Sequence, residues 1–185
     1  MRSPLILSLI AALLASPASM PSQSNYPAVV TDFPELNRFP VVVSGYRRGE
    51  VVAYAPGLSA FSVAYNRYDA QIQNAVTLYF GPRLNNTAAQ LLDEKTGVIN
   101  AHPDSRVVSE RVLKLEKNRR TYEATLITFE YTETFAGRTQ KVRSFLLVTF
   151  TPQRRVKVRN TAPIDQGDRA ESNLVPFLEG VSWVP

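Results

Sequence analysis

Three long stretches of β-type composition, residues 107–116, 122–133 and 142–151, follow one another along the chain. Only the short polar breaks Lys117-Asn118-Arg119-Arg120 and Phe135-Ala136-Gly137-Arg138-Thr139 separate them. Breaks of that length leave no room for a crossover helix, so the strands must run antiparallel as a meander of hairpins. The third stretch carries Ser144, Leu146, Val148 and Phe150 on one parity and Phe145 and Leu147 on the other. Apolar residues on both parities place it in the middle of the sheet, with both sides covered. Residues 155–159 form a short further strand in which Val156 and Val158 alternate with basic side chains.

Upstream, Val41-Val42-Val43 opens regular structure, and residues 61–65 and 75–80 carry the β-branched and aromatic content of two more strands. The polar run between them has hairpin-loop length, which makes them antiparallel neighbours. The period then changes: Ala88, Leu91, Leu92, Val98 and Ile99 recur at helical spacing, with Thr87 and Gln90 placed as a capping box and Gly97 as a stop. A second helical pattern, Ala170, Leu174, Phe177, Leu178 and Val181, closes the chain, with Asp165 or Asp168 as its N-cap and Pro176 imposing a kink or a split. Trp183 beyond it is placed to dock on the sheet. The order of elements predicts an α+β fold, an antiparallel sheet of about six strands with helices on both faces.

The N-terminus reads as an export signal. Arg2 precedes an unbroken apolar run at 5–14, too short to span a bilayer, and Ser16-Pro17-Ala18 supplies the small residues a signal peptidase reads. The expected organisation is a signal peptide at 1–18, an extended, proline-punctuated lead-in at 19–40 and a single domain at 41–185. A domain of that size builds its own core, and the chain has no cysteine. A periplasmic or secreted location follows, with no transmembrane segment in the mature chain and no nucleic-acid partner. The net charge of +5 is interspersed rather than clustered.

Catalytic chemistry finds little to stand on. Thiol nucleophiles are absent, no serine sits in a G-x-S-x-G elbow, and His102, the only histidine, lies in the turn His102-Pro103-Asp104. Zinc sites draw on several Cys or His ligands, so no metal and no cofactor is expected. Paired carboxylates are the remaining route, with Glu130 and Glu133, or Asp69 and a distant partner, as candidates for glycoside hydrolysis. Asp93-Glu94-Lys95 reads as an exposed helix face. The one directional pattern is Arg155, Lys157 and Arg159, which share a face of their strand and are the candidate anion- or partner-binding residues. The same stripe also suits a guarded edge strand or a plain solvated face, and that is the favoured reading.

The hairpin Tyr65-Asn66-Arg67-Tyr68-Asp69 with Ala75-Val76-Thr77-Leu78-Tyr79-Phe80, the long meander, and Val158-Arg159-Asn160-Thr161-Ala162-Pro163 leading to Pro176-Phe177-Leu178 together resemble the PsbP/DcrB-like proteins. The resemblance implies an α/β/α sandwich and an exported accessory protein, and carries over no functional residue. The function expected is a non-enzymatic binding or assembly module of the cell envelope, its partner an envelope protein or an anionic envelope component. The alternative is a carboxylate-based hydrolase acting on envelope glycan.

Overall fold

Strand β7 (Arg120–Phe135) shows how the molecule is organised. Tyr122, Ala124 and Leu126 turn into one apolar cluster, while Ile127, Phe129, Tyr131 and Phe135 turn into another on the opposite face. Strict alternation on a pleated backbone thus feeds two cores from one strand. The computed structural model describes residues 27–31, 37–69 and 72–184; the apolar run at 5–14 and the cut after Ala18 lie outside the described residues.

The elements run β1 (Ala28–Val29), β2 (Val42–Val43), β3 (Tyr46–Ala53), β4 (Phe61–Tyr68), β5 (Gln73–Pro82), α1 (Thr87–Ala101), β6 (Arg106–Lys117), β7, β8 (Arg138–Phe150), β9 (Arg154–Pro163) and α2 (Gly167–Gly180). All the strands join one antiparallel sheet of order β1-β3-β4-β5-β9-β8-β7-β6, with β2 also on β3. The meander β6-β7-β8-β9 and the hairpin β4-β5 form as their short connections require. Chain direction then returns β9 beside β5, which closes the two halves into a single sheet.

This architecture corrects the expected fold class. Among the described residues nine strands stand where about six were expected, and two short α-helices accompany them, so the fold is mostly antiparallel sheet and not an α/β/α sandwich with helices on both faces. The reason lies in the helices' own surfaces. Helix α2 buries Ala170, Leu174, Phe177 and Leu178, whereas α1 buries only Gln90 and Val98 and leaves Leu92 and Ile99 exposed. One side of the sheet is therefore closed largely by its own bulky side chains, among them Phe129, Tyr131, Phe135 and Leu146.

The main core lies under α2. Phe177 is fully buried with its ring edge-on to Tyr46 and Tyr65, each centroid 5.1 Å away. Trp183 docks behind it, its Nε1 donating to the Leu178 carbonyl at 3.1 Å and its ring packing edge-on against Tyr122. Pro176 sits inside a continuous α2, and Gln166 rather than an aspartate holds the N-cap position. Residues of the lead-in take part: Ala28 and Val29 pair with Ala53 and Val52, and Phe39 is buried against Phe61 and Phe80.

Helix α1 starts at Thr87 because its cap is Asn86, whose side chain accepts from the Ala89 amide at 2.9 Å, and it runs past the expected stop at Gly97 to Ala101, where the His102 amide donates to the Val98 carbonyl at 3.0 Å. Gln90, free of the expected capping box, turns inward: its amide donates to the Pro82 carbonyl at 2.9 Å and its oxygen accepts from the Leu84 amide at 3.1 Å. The β5–α1 connection is thus tied to the helix it precedes. Replacing Gln90 by Leu should strand both buried backbone groups and lower stability by about 1–3 kcal/mol in urea unfolding.

Candidate functional site

The basic stripe is in the centre of the sheet. Strand β9 lies between β5 and β8, so the guarded-edge reading of Arg155, Lys157 and Arg159 is overturned; central position, not edge exposure, governs them. Alternation holds as read: Val156 and Val158 are buried in the α2-side core, and the three cations rise from the opposite face, beneath α1. A solvated face is excluded as well, since their side chains are mostly covered. An uncompensated row of like charges cannot persist there.

Compensation comes from α1. Glu94, only 10% exposed, receives Lys157 Nζ at 2.8 Å on one carboxylate oxygen and the Arg155 guanidinium on the other. Gly81, paired across from Arg155, supplies the room: a Cβ there would stand 2.7 Å from an Arg155 Nη2. Arg159 is held differently. Its Nη2 donates to Ser144 Oγ at 2.8 Å and to Tyr131 Oη at 3.0 Å, and among the described residues no carboxylate lies within ion-pair distance. The Nε atoms of Arg155 and Arg159 are buried without a partner.

Between α1 and this face of the sheet opens a cavity of about 540 Å³, its floor and walls including Tyr79, Lys157, Arg159, Tyr131, Glu94 and Glu133. Tyr79 lies under Lys157, whose ammonium is 4.3 Å from the ring centroid. The chain end of α1 closes one side with His102, stacked on Tyr131 at 3.8 Å between centroids and 3.8 Å from the Glu133 carboxylate. Burial first, then the Arg155 and Arg159 charges, push the Lys157 ammonium down to about 8. Burial raises the phenols of Tyr79 and Tyr131, so both stay protonated hydrogen-bonding groups at neutral pH.

The carboxylate pairs expected from sequence are not brought together. Glu130 and Glu133 differ in parity along β7 and point to opposite faces of the sheet. Glu130 is clamped by Arg106 at 2.7 Å and Arg143 at 2.9 Å, and the Arg106 hydrogen bond leads the effects that hold its carboxyl below the usual range. Asp69 binds Arg67 at 2.7 Å and accepts from the Ile72 amide, which makes it a loop brace. Among the described residues no group of three or more His, Asp or Glu is placed to hold a metal ion.

The expected exposed helix face at Asp93-Glu94-Lys95 fails for Glu94, which is 10% exposed against the sheet. The sequence reads His102 as a turn residue and does not single out Tyr79 and Tyr131 as site residues. The signal was present: Gln90, Glu94 and Val98 are spaced four apart and share the helix face that meets the sheet. Leu92 and Ile99, taken for that face, look outward. No family model matches the chain, and no curated protein matches it.

Proposed function

We propose that the chain is a non-enzymatic binding module of the cell envelope whose cavity under α1 takes the carboxylate or phosphate of an anionic envelope component. One observation carries this reading: Arg159 presents a guanidinium in the cavity wall that hydroxyls orient and that no carboxylate among the described residues neutralises. Guanidinium matches carboxylate and phosphate oxygens in a planar fork. Lys157 adds a second cation beside it, and the cavity volume of about 540 Å³ lies in the range of small-ligand sites. The rings of Tyr79, Tyr131 and His102 give a flat, amphipathic lining for the body of such a ligand. Export is supported by the apolar run at 5–14 with Ser16-Pro17-Ala18, and the accessory role by the resemblance to PsbP/DcrB-like proteins. Among the described residues no helix is long and apolar enough to cross a membrane.

A glycan hydrolase on the same cavity would use Glu133 and Glu94 as its pair. A general acid needs surroundings that keep it protonated, and Glu94 lies between two cations. The binding reading is therefore preferred.

Calorimetric titration with glucuronate and with glycerol 3-phosphate at low ionic strength tests the proposal. Binding of at least one should weaken at least about tenfold in Arg159→Gln, the scale of one charge-assisted hydrogen bond. Binding should also fall as pH rises through about 8, where Lys157 gives up its proton and its charge. Absence of binding to either probe at millimolar concentration, or equal binding by Arg159→Gln, would overturn it.

A further inference from the structure

Among the described strands, β6 forms the long edge of the sheet. The opposite end is blunted by the two-residue strands β1 and β2, whereas β6 spans twelve residues and pairs only with β7 among the described strands. Its backbone beyond a bulge at Val107–Ser109 runs in regular register from Ser109 to Lys117. Such an edge offers a row of unpaired amides and carbonyls to another strand. Its α1-side row is Glu110, Val112 and Lys114, with Val112 the most exposed large apolar side chain of the described residues at 65%. Leu92 of α1, 61% exposed, lies on the same side of the sheet, where Lys95 reaches Glu110 at 2.6 Å.

That row is its own reverse complement. In a continuous sheet formed by two copies about a two-fold axis, directly opposed residues must have the same parity, since they share a face. Centring the axis on Val112 sets Val112 against its symmetry mate and Glu110 against Lys114 of the second copy, twice over. Arg111 then faces Leu113, and Glu116 faces Val108, so no like charges oppose each other. Shifting the centre by one residue toward Arg111 opposes the two arginines; shifting it to Leu113 opposes Glu110 to Glu116. Centring on Glu110 or Lys114 opposes a charge to itself. Of the registers that overlap at least seven residues of the regular stretch 109–117, only the one centred on Val112 opposes no like charges.

We infer that β6 pairs antiparallel with β6 of a second copy of this chain, Val112 on Val112 and Glu110 on Lys114, to join two sheets into one. Lys95 then flanks the same carboxylate, and Leu92 lies beside the seam.

Sedimentation of the chain should show a dimer at micromolar concentration. Lys114→Glu, at a position with no ion pair among the described residues, opposes Glu110 to a second carboxylate and should weaken the dimer about tenfold or more. Made together with Lys95→Gln, so that the new lysine meets no cation from α1, the swap Glu110→Lys with Lys114→Glu restores opposite charges across the seam and should return the affinity to within about threefold of Lys95→Gln alone. Because the chain has no cysteine, Val112→Cys gives a single thiol per copy. Opposed Cα atoms in an antiparallel pair are about 4.5–5.5 Å apart, within disulfide reach. Val112→Cys should therefore cross-link on oxidation, and Val108→Cys should not. A monomer at about 100 μM, ten times or more the expected range, would overturn the inference. So would a dimer that Lys114→Glu leaves intact, a swap that fails to restore it, or cross-linking equal at the two positions.

Discussion

Glu94→Gln is expected to destabilise the protein by about 3 kcal/mol, the low end for breaking a buried ion pair from one side. The single carboxylate receives both Arg155 and Lys157 at side-chain exposures of 20% and 22%, and its loss leaves two covered cations facing each other across Arg155–Lys157 spacing on one strand. Lys157 can shed its proton, for its ammonium already stands near 8. Arg155 cannot, so it bears most of the penalty. Urea unfolding of Glu94→Gln measures the loss. Adding Arg155→Met and Lys157→Met to Glu94→Leu removes the charges altogether, and should bring stability back to within about 1 kcal/mol. A Glu94→Gln protein as stable as the original would mean that water, not Glu94, screens the stripe. The pH dependence has a definite sign. Folded Lys157 loses its proton near 8 and the unfolded side chain near 10.5, so the unfolded state holds more protons between these values, and Lys157 raises stability as pH climbs through that window.

Phe177→Ala should cost about 3–5 kcal/mol, the range for truncating a fully buried aromatic ring. Its ring is wholly buried, and both aromatic partners, Tyr46 and Tyr65, are anchored by other bonds: Tyr46 accepts from the Asn74 amide at 2.9 Å and Tyr65 donates to the Pro40 carbonyl at 3.0 Å. Neighbours fixed in this way cannot collapse into the cavity left behind. Thermal unfolding should show a single transition at a lower midpoint. A loss under about 1 kcal/mol would show that α2 rests only loosely on the sheet.

The meander and the β4–β5 hairpin were legible because short polar breaks force antiparallel neighbours, and local spacing suffices to see them. Strand β3 was not, since Arg47, Arg48, Gly49 and Glu50 carry no alternation of apolar residues; its pairing with β4 comes from tertiary context. The fold class failed for a related reason. Helical periodicity at Ala88 to Ile99 says that a helix forms, but not that its Leu92 and Ile99 would be left in solvent. For the site, parity on β9 was readable and the strand's neighbours were not. A basic row suits an edge by composition alone, and only the return of β9 to β5 turns it into a covered row needing Glu94. Long-range pairing of this kind leaves no local mark.

Titration of Lys157 by NMR, reading its side-chain ¹³Cε shift against pH with and without glycerol 3-phosphate, decides whether the stripe is covered and the site binds an anion. The midpoint should lie near 8 for the free protein. The anion should move that midpoint upward, because a ligand that prefers the charged amine must retain its proton. A midpoint near the ordinary lysine value of 10.5, unmoved by the anion, would contradict both the covered stripe and the binding site built on it.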